Sequence, residues 1–143
     1  MVLLVVALLL GGYSAGTVWA HEVDIFRSWP LVGKRFRAVQ EAHWRRLPYW
    51  VFVPVGLGLV VSAVLVWVHP DGSPVWGIWG SLGCQVLSVA LTGGFWGRWQ
   101  AALAKDPAGA RSRYLALILR THWVRTGLVT ANALALWVIV LPG

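Results

Sequence analysis

Four stretches of this chain, Met1 to Ala20, Tyr49 to Val68, Val75 to Trp96 and Val124 to Leu141, are almost wholly apolar. Each is close to the ~20 residues that an α-helix needs to cross a hydrocarbon core roughly 30 Å thick. Inside such a core every backbone N–H and C=O must be paired within the chain, so the stretches are predicted to be helices. They take up most of the 143 residues, which leaves no room for a separate soluble domain. A charged share of 12%, against about 25% in soluble domains, agrees. The expected fold is all-α, one domain over residues 1 to 143, an integral-membrane up-down four-helix bundle whose short connections make sequential helices antiparallel.

The net charge of +7 is distributed by topology. Arg27, Lys34, Arg35, Arg37, Arg45 and Arg46 lie between the first two windows, and Arg98, Lys105, Arg111, Arg113, Arg120 and Arg125 lie between the last two or just inside the fourth. None lies in the "HPDGSP" turn. Basic segments stay in the cytoplasm, so the chain is expected in the cell membrane with both termini on the non-cytoplasmic side. The charge is read as orientation and contact with anionic lipid, and no nucleic-acid partner is expected. The single cysteine, Cys84, excludes an intrachain disulfide. Val18-x-Ala20 has the form of a signal-peptidase site, but no basic n-region precedes it, so the first window is expected to be a transmembrane helix.

Local signals set the helix limits. The first helix is expected to run past the membrane surface and end at Trp29-Pro30. Its Gly12, Ala15, Gly16 and Ala20 suit close helix approach. The second should begin near Lys34, with Phe36, Gln40, His43 and Leu47 on one face, and be kinked at Pro48 and Pro54. The third carries a stripe of Ser81, Gln85, Ser88, Thr92 and Trp96. The fourth should begin near Ala110 or Arg111 and carries Tyr114, Ile118, His122, Arg125, Val129 and Asn132 at steps of three and four, hence on one face. Most of the eleven tryptophans fit interfacial belts.

This topology brings His21, Glu22 and Asp24, then Gln40, Glu41 and His43, then Trp96, Arg98 and Trp99, and finally Tyr114, His122 and Arg125 to one mouth. Tyr13, Thr17, Gln85, Thr92, Trp96 and Asn132 are the expected substrate-binding lining, since polar groups facing lipid would be costly. Two chemistries suit such a mouth. His21, His43 and His122 with Glu41 could hold a mononuclear iron or copper ion, imidazole suiting both. Alternatively no cofactor is needed: a histidine acts as general base and Arg125 stabilises the anion formed. His122 and Arg125 are the leading catalytic candidates, and His43 follows. A different class of function also fits, a non-catalytic membrane subunit or small transporter whose polar stripes serve packing or permeation.

Gly12-x-x-Ala15-Gly16, Gln40-x-x-His43 leading into Pro48 and Pro54, and above all Thr121-His122-x-x-Arg125-Thr126 resemble the anthrone oxygenase-like family of small four-helix membrane proteins. The chain reads "GGFWGRW" where members of that family often carry a Pro-x-Asn element. The resemblance implies oxidation of a hydrophobic aromatic or quinol-like small molecule by molecular oxygen without flavin or haem, and a role for His122 and Arg125. Lipid, substrate and oxygen are thus the expected partners, with a homo-oligomer as a further possibility.

Overall fold

The computed structural model describes residues 1 to 140, so the Leu141 end of the fourth window lies outside it. Among the described residues the chain is helical and has no strand. The helices are α1 (Val2–Ala20), α2 (Phe26–Ser28), α3 (Phe36–Leu47), α4 (Val53–Leu65), α5 (Val75–Leu91), α6 (Gly97–Lys105) and α7 (Arg113–Val140). Three near-continuous helical stretches are long and apolar enough to cross a membrane: Val2–Leu65, Val75–Lys105 and Arg113–Val140. The first is not straight. Gly33 takes φ 61°, ψ −129°, a conformation open to glycine at little cost, and α4 returns to pack on α1.

Two of the expected helix limits shift. Trp29-Pro30 does not end the first helix, because Pro30 lies in the first turn of a 3-10 segment, Trp29–Arg35, where its missing N–H is not needed. The break falls at Gly33, and α3 starts at Phe36. The last α-helix starts at Arg113, two residues past the later of the two expected starts, Ala110 or Arg111, after a turn held by Asp106, whose carboxylate accepts from the Ala108 N–H at 2.9 Å and the Ser112 hydroxyl at 2.6 Å. Those two bonds hold the Asp106 carboxyl below its ordinary pKa.

Helix α7 is the axis of the packing, in contact with α1, α5 and α6, while α4 touches α1 and α5. Close approach depends on two glycines. A Cβ on Gly11 would stand 2.8 Å from Leu136 Cδ1, and one on Gly77 3.0 Å from Ile139 Cγ1. Apolar clusters close both ends: Leu4, Ala7, Leu65, Ile78, Leu136 and Ile139 at one, and Phe26, Trp29, Phe36, Leu103, Leu115 and Ile118 at the other. Outward-facing Leu9, Leu57, Val60, Leu134 and Trp137 are exposed, which gives an apolar outer surface compatible with lipid.

Between the clusters the helices depart from α geometry at three places. His21–Ile25, Pro48–Phe52 and Thr92–Trp96 are π-helical turns, in which Phe26, Val53 and Gly97 N–H groups reach back five residues to His21, Pro48 and Thr92 carbonyls. Such turns widen a helix and favour functional sites. Proline chemistry accounts for part of the second. Pro54 has no N–H to offer the carbonyl four residues back, and that Trp50 carbonyl instead accepts the Tyr13 hydroxyl at 2.9 Å. In the third, a Cβ at Gly97 would lie 2.9 Å from the Thr92 carbonyl oxygen, tighter than Cβ contacts allow, although Phe26 and Val53 hold the equivalent place in the other two turns.

Candidate active site

A cleft opens between the helices at the level of the three wide turns. Its unfilled space comes to about 900 Å³ counted out to the open mouth. Tyr13, Thr17, Gln85, Thr92, Trp96 and Asn132, the six residues expected to bind substrate, all line it. So do His21, Phe26, Trp44, Trp50, Phe52, Cys84 and Arg125. His43 and His122 do not belong to that lining.

The far end of the cleft is a closed hydrogen-bond network. Asn132 Oδ1 accepts from the Ser81 hydroxyl at 2.7 Å and from Gln85 Nε2 at 3.2 Å, and Gln85 Nε2 also donates to the Ser62 hydroxyl at 2.7 Å. These bonds tie α4, α5 and α7 together. At about 0.6 kcal/mol each by analogy with measured interhelical bonds, they explain the buried polar stripe of α5 through packing.

The near end is different, because its polar atoms are left over. Phe26 is the hub: its ring centroid lies 5.3 Å from that of His21, 6.2 Å from His43 and 4.8 Å from His122. His21 and His43 are 5.1 Å apart, and Trp50 stands 5.4 Å from His21. His21 Nδ1 is 2.7 Å from the Thr17 carbonyl oxygen. A carbonyl only accepts, so Nδ1 carries hydrogen, and in the neutral ring Nε2 keeps its lone pair. His122 Nδ1 lies 2.9 Å from Glu22 Oε2, which fixes the same tautomer. The Nε2 atoms of all three histidines are buried and unpartnered, as are Trp50 Nε1 and Arg125 Nε.

Glu22 is the acid of this end. Its side chain is only 2% exposed and joins His122 across 100 residues of sequence, while its second oxygen pairs with the Arg27 guanidinium. Arg27 also donates to the Leu119 carbonyl at 3.2 Å, so one arginine pins the junction of α1 and α7 from both sides. Glu41, the acid of the expected metal set, lies elsewhere: it is exposed and pairs with Arg45 at 2.6 Å. Its spacing of four residues from Arg45 was the available sign, being that of a solvated helix pair. Nothing local to Glu22 announced its partner, because His122 reaches it only through the tertiary fold.

The metal alternative therefore lacks its donor set. Among the described residues no three His, Cys, Asp or Glu side chains group so as to hold a metal ion. The Phe26 ring touches all three imidazoles, and Glu41 faces away. Of the three histidines only His21 belongs to the wall, together with Arg125 and several aromatic side chains. No family model, no characterised protein and no solved structure matches the chain.

Proposed function

We propose that this chain is an integral-membrane oxidoreductase of the anthrone oxygenase-like kind, which oxidises a hydrophobic aromatic or quinol-like molecule with molecular oxygen. The observation that carries the reading is that His21 and Arg125, each with an unpartnered nitrogen, both line one aromatic-lined cleft. Trp50 and Trp96 in the lining offer stacking surfaces for a flat ring system. In this reading His21 Nε2 takes a proton from an activated C–H or O–H of the bound substrate, and Arg125 stabilises the anion. Oxygen is the oxidant: a ring CH₂ and O₂ become a ring C=O and water, with both C–H bonds broken and the second oxygen atom leaving as water. His122, behind Phe26 and Trp96, acts through position, holding the face of α7 from which Arg125 projects one turn later.

This reading makes the bundle four spans, α1, α3 with α4, α5 with α6, and α7. The break at Gly33 and the packing of α4 back on α1 support that count. The grouping of the basic residues puts the His21 end of the cleft at the cytoplasmic face and both termini outside. Cysteines introduced at Lys105 and Ser73 should then react with impermeant thiol reagents from opposite sides of the membrane, and labelling from the same side overturns the orientation.

Catalysis is tested on protein purified into nanodiscs and given an anthrone as probe. Oxygen uptake and quinone formation should proceed one to one, above the rate with empty nanodiscs and without added flavin or haem. A rate equal to autoxidation favours the packing or subunit reading instead, which the closed Ser62, Ser81, Gln85 and Asn132 network already suits.

A further inference from the structure

Charge accounting within the cleft points to the nature of its occupant. Of the twelve Lys and Arg residues, Arg125 alone is not exposed. All five Asp and Glu side chains are among the described residues, and none pairs with it: Glu22 is held by Arg27 and His122, Glu41 by Arg45, Asp106 bonds Ala108 and Ser112, and Asp24 and Asp71 form no ion pair. Arg125 is half-buried with its Nε sealed and unpartnered, and a guanidinium partly withdrawn from water without a counter-charge is costly. A second observation agrees in sign. The other unpartnered donor on the wall is the Trp50 indole N–H, which can only donate. The cleft offers two unanswered donors, one of them cationic.

We infer that the ligand of this cleft is an organic anion, with a carboxylate or ionised hydroxyl seated against Arg125 and a flat apolar body extending towards Gln85 and Asn132. Seven residues of helix separate Arg125 from Asn132, a rise of ~10 Å, which sets the length of body that fits. The inference rests on the reading of the cleft as a ligand site and not on oxidation. A phospholipid headgroup would present the same negative charge. The aromatic lining, with Tyr13, Phe26, Trp44, Trp50, Phe52 and Trp96, favours a ring-bearing small molecule.

Calorimetric titration under anaerobic conditions, in phosphatidylcholine nanodiscs with empty discs subtracted, tests it with 2-naphthoate and its neutral isostere 2-naphthamide. The naphthoate should bind about tenfold more tightly, as a charge-assisted pairing implies. In Arg125→Gln the preference should fall to within about twofold, while Arg98→Gln, at an exposed position, should keep it. Equal binding of acid and amide by the unaltered protein overturns the inference, and that comparison stands even where Arg125→Gln fails to fold. So does a preference that survives in folded Arg125→Gln. Loss of naphthoate binding in phosphatidylglycerol discs would make the occupant a lipid headgroup and overturn the small-molecule assignment. Anion binding without any oxidation of anthrone would remove the proposed activity and leave this inference in place.

Discussion

Glu22→Ala is expected to destabilise the protein by several kcal/mol, towards the lower end of the ~3 to 5 kcal/mol seen when one partner of a buried ion pair is removed. The lower end is expected because Arg27, with 43% of its side chain exposed, can turn to water. His122 cannot: at 1% exposure its Nδ1–H would be stranded, a penalty of ~1 to 3 kcal/mol by itself, and the space left by the carboxylate adds to it. Glu22→Gln keeps an oxygen for that N–H and should fall between. Glu41→Ala removes an exposed helix pair and should change stability by no more than ~0.5 kcal/mol. Reversible unfolding in mixed micelles measures all three, and equal effects at positions 22 and 41 would show that Glu22 is hydrated.

The largest effect on turnover is expected at His21. His21→Ala should lower the rate of anthrone oxidation by at least ~10²-fold, and His21→Gln, which refills more of the space among Phe26, His43 and Trp50 than alanine does, should be as inactive with a smaller loss of stability. Arg125→Lys should also be severe, because lysine retains charge but loses the planar five-donor fork. His122→Ala should damage stability and rate together, as loss of a positioning group does. A silent His21→Ala beside an inactive but fully stable His122→Ala would reverse the two assignments and return His122 to the role of base.

The buried faces of the third and fourth windows were legible because they depend on periodicity. Ser81, Gln85, Ser88 and Trp96 recur at helical steps and are buried together, and the same holds for Ile118, His122 and Asn132 on α7. Depth within the cluster was less accessible. His21, His43 and His122 gather around the Phe26 ring, but only His21 lines the cleft, and Phe26 is an apolar residue with no chemical signal of its own. The choice of Glu41 over Glu22 failed for a related reason: sequence distance shows a neighbour four residues away and hides one a hundred residues away. The limits of the first and last helices moved because Pro30 is tolerated in an opening turn and because Asp106 builds a turn of its own.

The three wide turns change how any chain of this architecture has to be counted. Each adds one residue to its helix, and one residue is a rotation of about 100° around the helix axis, so every side chain beyond residues 25, 52 and 96 is out of phase with an unbroken α-helix. The cleft is thus produced by three single-residue insertions at matching heights and not by any bulky change in the helices. Chains that share this cleft can therefore differ in spacing by one residue without differing in shape, provided the offset falls within those turns. Elsewhere in a span, the same one-residue difference would turn the lining of the cleft towards lipid.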